Sequence, residues 1–166
     1  MKRITIGQKE YTLEFSIDAT LYNECTEKVM DLMVSAGIAQ AEAEDDKLSE
    51  KEKITVMANA FTTTVADIGN RAITLFYAGL LEHHGASGDN TVTSKQDAKR
   101  LIAQYINENE GLSLYDIVNE MVEEMGKDHF FEKIGVEKMV SNANQTVEKQ
   151  IKTPQDHKKK QSVGNK

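Results

Sequence analysis

The chain has 166 residues, a formal net charge of −7, 39% hydrophobic residues and one cysteine. That length fits one domain with a tail, and so acidic a chain lacks the basic surface that nucleic-acid phosphates require. A lone Cys25 excludes an intramolecular disulfide and a cysteine-based zinc site, and it suits a reducing compartment.

Residues 3–6 and 10–15 alternate in strand fashion around Gly7-Gln8-Lys9, which predicts a β-hairpin with a glycine-containing turn. Ile4, Ile6, Tyr11, Leu13 and Phe15 share one face of it. A lone hairpin is marginal in water, so that face is expected to lie on helices. Ser16 or Asp18 caps the next predicted helix, whose apolar stripe is Leu21, Cys25, Val29, Leu32 and Ala36, flanked by Met33. Gly37 is its expected stop. Residues 38–49 are rich in Ala, Glu and Asp without an apolar period and are expected to be an acidic linker.

Ser49-Glu50-Lys51-Glu52 is a capping box. After it Ile54, Met57, Phe61, Val65, Ile68, Ala72, Leu75 and Gly79 recur at helical spacing. Only that stripe is apolar at first. From Ala72 to Leu81 nearly every position is, which predicts burial on all sides, with Leu75, Phe76, Leu80 and Leu81 in the core. Gly69-Asn70 is an expected kink or break.

Residues 83–90 have loop composition. Thr93 or Ser94 opens a helix carrying Ala98, Leu101, Ile102, Tyr105 and Ile106. Ser113 opens another carrying Leu114, Ile117, Val118, Met121, Val122 and Met125. Phe130, Phe131 and Ile134 make a short apolar piece. A last amphipathic helix is expected over Val136, Met139, Val140, Ala143, Val147 and Ile151, ended by Pro154, the only proline. From Lys152 to Lys166 five lysines face one aspartate, so this part is +4 and the rest −11. Residues 152–166 are expected to be a disordered basic tail. The fold class is therefore α+β and mostly α: an N-terminal hairpin packed on about five helices over residues 1–151, then the tail.

Catalytic chemistry is not expected. His83 and His84 are adjacent, so on a helix they diverge by about 100° and do not converge on a metal. Glu120, Glu123 and Glu124 read as a solvated helix face rather than an acid–base pair. Cys25 lies on an apolar stripe with no neighbouring base and reads as core. The scattered glycines make no phosphate cradle. No apolar run approaches the roughly 20 residues of a membrane span, and no secretory leader is evident, so a soluble intracellular protein is expected. Partner contact is assigned to flexible methionines, Met121, Met125 and Met139, and to the basic run Lys158, Lys159 and Lys160.

The opening Ile4-Thr5-Ile6-Gly7-Gln8-Lys9-Glu10-Tyr11-Thr12-Leu13-Glu14-Phe15-Ser16-Ile17 is followed directly by a helix. Further on come Ala78-Gly79-Leu80-Leu81 after apolar and aromatic residues, a capped helix from Ser94, and a helix over Leu114–Met125. Together these resemble the tail assembly chaperones of long-tailed phages and prophages of Gram-positive bacteria, over roughly residues 1–126. The stretch around Glu42–Asp46 and everything after Gly126 have no counterpart in the resemblance.

The resemblance implies a binding protein without turnover, metal or cofactor. It implies a protein that holds the long tape-measure protein soluble in the host cytoplasm and helps recruit tail tube subunits. Such a protein leaves before the virion matures. It leaves self-association open. It also implies a longer product made by ribosomal frameshifting, for which Lys158-Lys159-Lys160, encoded by A-rich codons, is the expected slip site. Two other classes are alternatives. A small helical nucleic-acid regulator needs an Arg/Lys/Asn/Gln reading face that no helix here carries. A structural tail or neck component is the other, although tube subunits are strand-rich.

Overall fold

The computed structural model describes residues 1–43, 47–136 and 138. Two strands, β1 (Lys2–Ile6) and β2 (Lys9–Leu13), pair antiparallel with Ile6 opposite Lys9 and Ile4 opposite Tyr11. The turn is therefore the two residues Gly7-Gln8. Gly7 has φ +64°, and a Cβ there would come 2.7 Å from Gln104 Nε2, so glycine answers both the backbone and the close approach. Its N–H donates to Glu108 Oε2 at 2.7 Å, which ties the turn to a helix 101 residues away.

Six helices follow among the described residues. They are α1 (Ile17–Leu21), α2 (Asn23–Ala43), α3 (Glu50–His84), α4 (Lys95–Glu108), α5 (Leu114–Lys127) and α6 (Phe130–Ile134). Serine hydroxyls start four of them. Ser16, Ser49, Ser94 and Ser113 each accept a backbone N–H of the first turn, and at Ser49 and Ser113 a carboxylate three residues on completes a capping box.

The hairpin docks through Ile4, Ile6, Leu13 and Phe15, all buried, while Tyr11 is half-buried. Its seat on α3 is Gly79. A Cβ at that position would lie 3.3 Å from both Leu13 Cδ2 and Phe15 Cζ, so the bare glycine lets the strand approach the helix. The Glu14 N–H donates to the Gly79 carbonyl at 2.8 Å, and the Phe15 N–H to Asp128 Oδ2 at 2.9 Å. Phe15 stacks edge-on against Phe130, ring centroids 5.9 Å apart. The apolar C-terminal half of α3 is the spine of the core. Ala72, Leu75, Phe76, Ala78 and Leu80 are buried, and Leu81 is only half-buried at the helix end.

Several expectations are corrected. The helix after the hairpin is broken at Tyr22, whose extended ψ of 93° makes it the C-cap of α1. The break shifts the helical phase, so Leu21 points outward at 72% exposure while Cys25 and Val29 begin the buried stripe of α2. Gly37 is not a stop. α2 runs on to Ala43, because Ala, Gln and Glu after it are strong helix formers and one interior glycine costs only about 1 kcal/mol. Much of the expected linker over 38–49 is thus helix. Gly69-Asn70 does not divide α3, which spans 35 residues. Glu124 is not solvated. It is 4% exposed, held by Lys127 Nζ at 2.7 Å with the N-terminal ammonium also near, because the start of the hairpin folds over α5. Glu120 pairs with Lys2 at 2.7 Å for the same reason. The expected helix over residues 136–151 and the tail over 152–166 lie outside the described residues, save Val136 and Lys138.

Candidate partner-binding groove

α2 and α3 make an antiparallel pair. Lys28 of α2 meets Asp67 of α3 at 2.8 Å, and further out Leu32, Ser35 and Ala36 lie across from Phe61, Thr64 and Val65. The ion cluster marks where the pair leaves the core. Lys28 and then Arg71 bond the Asp67 carboxylate and hold its pKa below the usual range. Arg71 is 3% exposed and its Nη1 has no hydrogen-bond partner among the described residues.

Beyond that cluster the apolar stripe of α3 continues, but nothing among the described residues covers it. At about 100° per residue, Ile54, Met57, Phe61, Val65, Ile68, Ala72 and Leu75 fall within about 40° of one line along the helix. The far end of that line, Ala72 and Leu75, is buried. The near end is open: Ile54 is 66% exposed, Met57 57%, Phe61 70% and Val65 50%. Among the described residues, only the C-terminal half of this 35-residue helix is covered.

Between the two helices the open half forms a groove of about 610 Å³. Leu32 and Ala36 form one wall, Phe61, Val65 and Ile68 the other, and Ser113, Leu114 and Tyr115 at the start of α5 close one end. Tyr115 is itself 60% exposed. No charged residue occurs from Leu32 to Ala41 or from Ile54 to Ala66. A helix pair meant for solvent carries charge on its outer faces. An uncharged, apolar one marks an interaction surface. The groove has the size of a ligand site, and no Asp, Glu, Lys, Arg or His side chain lines it.

The residues singled out from sequence are placed differently. Met121 and Met125 are 1% and 0% exposed, packed in the core between α5 and its neighbours, so they offer a partner no surface. They belong to the face of α5 that carries Ile117 and Val118, and burial there overrides methionine's adaptability. Met139, Lys158, Lys159 and Lys160 lie outside the described residues. The stripe that is exposed had been legible only as a stripe. The signal pointing to its exposure is the missing charge around it.

The other chemistry-bearing side chains do structural work. His84 is buried. Its Nε2 accepts the Thr12 N–H at 2.9 Å, which leaves Nδ1 to carry the proton and donate to Asp89 Oδ2 at 3.1 Å. Asp89 also accepts from the Thr91 hydroxyl and N–H, and these bonds hold its carboxyl well below the usual carboxylate range. His83 meets Glu14 at 2.7 Å. The two histidines thus clamp β2 and the residue after it to the end of α3. Cys25 is fully buried, and burial pushes its thiol up to about 12, far from a reactive thiolate. Among the described residues no three His, Cys, Asp or Glu side chains are placed to hold a metal, and no helix is long and apolar enough to cross a membrane. No protein-family model, curated protein or solved structure matches the chain.

Proposed function

We propose that this protein is a phage tail assembly chaperone. In this reading it binds helical, aggregation-prone segments of the tape-measure protein in the host cytoplasm. It keeps them soluble and yields them as tail tube subunits arrive. It acts by binding, without turnover, metal or nucleotide.

The observation that carries the reading is the uncovered half of the α3 stripe. Four large apolar side chains at helical spacing stand open on a two-helix arm, and two of them, Phe61 and Val65, line the apolar groove between the helices. An amphipathic helix laid in that groove buries its apolar face at i, i+3, i+4 and i+7, the usual mode of helix-in-groove recognition. A tape-measure segment held this way is screened from others like it. The absence of charge in the groove suits a holdase, since apolar burial discriminates weakly among apolar helices.

The test is co-expression with the tape-measure protein encoded by the same phage or prophage. The wild-type chain raises that protein's soluble yield and co-elutes with it on size exclusion. Phe61→Asp, on an exposed position, leaves the chaperone folded and removes both effects. Unchanged yield with wild type and no complex defeats the proposal.

A further inference from the structure

Among the described residues β2 has a strand on one side only. On its other edge two backbone donors are taken up by the end of α3. The Glu14 N–H, just past the strand, goes to the Gly79 carbonyl at 2.8 Å, and the Thr12 N–H to His84 Nε2 at 2.9 Å. The first acceptor is a carbonyl and works at any pH. The second is an imidazole nitrogen, which accepts only while it carries no proton. His84 is buried, and its Nδ1 donates to Asp89 Oδ2 at 3.1 Å, so the ring is held from both sides.

We propose that protonation of His84 is a switch that releases Thr12, and with it the outer edge of β2, from the end of α3. A second proton on this ring goes to Nε2, since Nδ1 already holds one. It turns the acceptor into a donor that faces another donor, and the bond to Thr12 breaks. The groups facing the ring can accommodate the charge. Asp89, from the loop after α3, is kept ionised by the Thr91 hydroxyl and N–H and supplies the counter-charge at Nδ1. Lys9 of β2 reaches the same carboxylate at 3.4 Å but is bonded more closely to the Thr91 hydroxyl, at 2.8 Å. Tyr11 of β2 presents its ring at 5.1 Å. His83, the preceding residue of α3, makes the opposite demand. It meets Glu14 at 2.7 Å, and a proton there adds charge to the pair. Acid therefore keeps Glu14 and frees Thr12, two residues apart on one edge. Leu13 and Phe15 remain buried, so the edge opens without undocking the hairpin.

The experiment is nuclear magnetic resonance on the full chain, labelled with nitrogen-15, from about pH 8 to 5, the range in which histidines change charge. It reads the ring nitrogens of His84 and the hydrogen-exchange protection of the Thr12 amide. At the upper end the ring should hold its proton on Nδ1 alone. As pH falls, Thr12 protection should drop about 3- to 10-fold, the worth of one neutral hydrogen bond, with the midpoint of the His84 nitrogens. The Glu14 and Leu75 amides should keep theirs. His84→Gln should abolish the step at Thr12, and His83→Gln should retain it. The inference is overturned if Thr12 protection stays level while His84 titrates, if His84 takes up no second proton before the chain unfolds, or if the step survives in His84→Gln. Should His84→Gln fail to fold, the presence or absence of a shared midpoint in the wild-type chain decides alone.

Discussion

Replacing Phe61 by alanine separates a binding stripe from a core stripe. Full burial of a phenylalanine side chain is worth about 1.5–3 kcal/mol. Phe61 is 70% exposed in the free chain, so about 1–2 kcal/mol of that remains to be gained when a partner covers it. Phe61→Ala should therefore weaken partner binding by about 5- to 30-fold. The cost to the free protein is the smaller, already buried share. Alanine's better helix propensity, worth up to ~0.5 kcal/mol, offsets most of it. Urea unfolding followed by circular dichroism should accordingly show a change of no more than about 0.5 kcal/mol. Leu80→Ala is the control: Leu80 is fully buried on the same helix, and its truncation should lower stability by about 2–5 kcal/mol. Titration of each folded variant with the partner completes the comparison. The reasoning is refuted if Phe61→Ala loses stability like Leu80→Ala, or if it binds the partner as tightly as wild type.

Leu13→Ala should cost about 2–5 kcal/mol in urea unfolding, since Leu13 is fully buried where the hairpin meets α3. A loss of a few tenths would mean the hairpin contributes little to the fold. Gly79→Ala gains up to ~1 kcal/mol of helix propensity but forces Leu13 and Phe15 to move by a few tenths of an ångström. A net loss of about 1 kcal/mol is expected, and a gain in thermal stability would show the contact to be slack. Acid should loosen the base of the α2–α3 arm. Asp67 has its folded pKa lowered, chiefly by Lys28, so its stabilising contribution is present above its ordinary 3.8 and is lost as pH falls through the lower folded value. Asp67→Asn should remove that part of the acid dependence, and hydrogen exchange in α2 across the acid range would show whether it does.

Much of the architecture was legible in local sequence because its causes are local. The alternation around Gly7 fixed a hairpin with Ile4, Ile6, Leu13 and Phe15 on one face, since strand periodicity needs no tertiary information. The Ser49 and Ser113 caps, the helix beginning at Ser94 and the all-round apolar run from Ala72 were readable for the same reason. Tertiary packing decided the rest. Whether a stripe is core or surface depends on what lies against it. Ala72 and Leu75 share one line with Phe61 and Val65, and only the first two have a fold above them. Methionine chemistry alone points Met121 and Met125 of α5 at a partner, yet both face inward. Glu124, which resembles its solvated neighbour Glu123 in sequence, is buried because the chain's first residues return across α5. Sequence by itself determined the hairpin, the capped helix starts and which faces are apolar, because dihedral preference and periodicity act over a few residues. The reach of the core along α3, and with it the groove left open beyond, was decided only by how far hairpin and helices extend once packed.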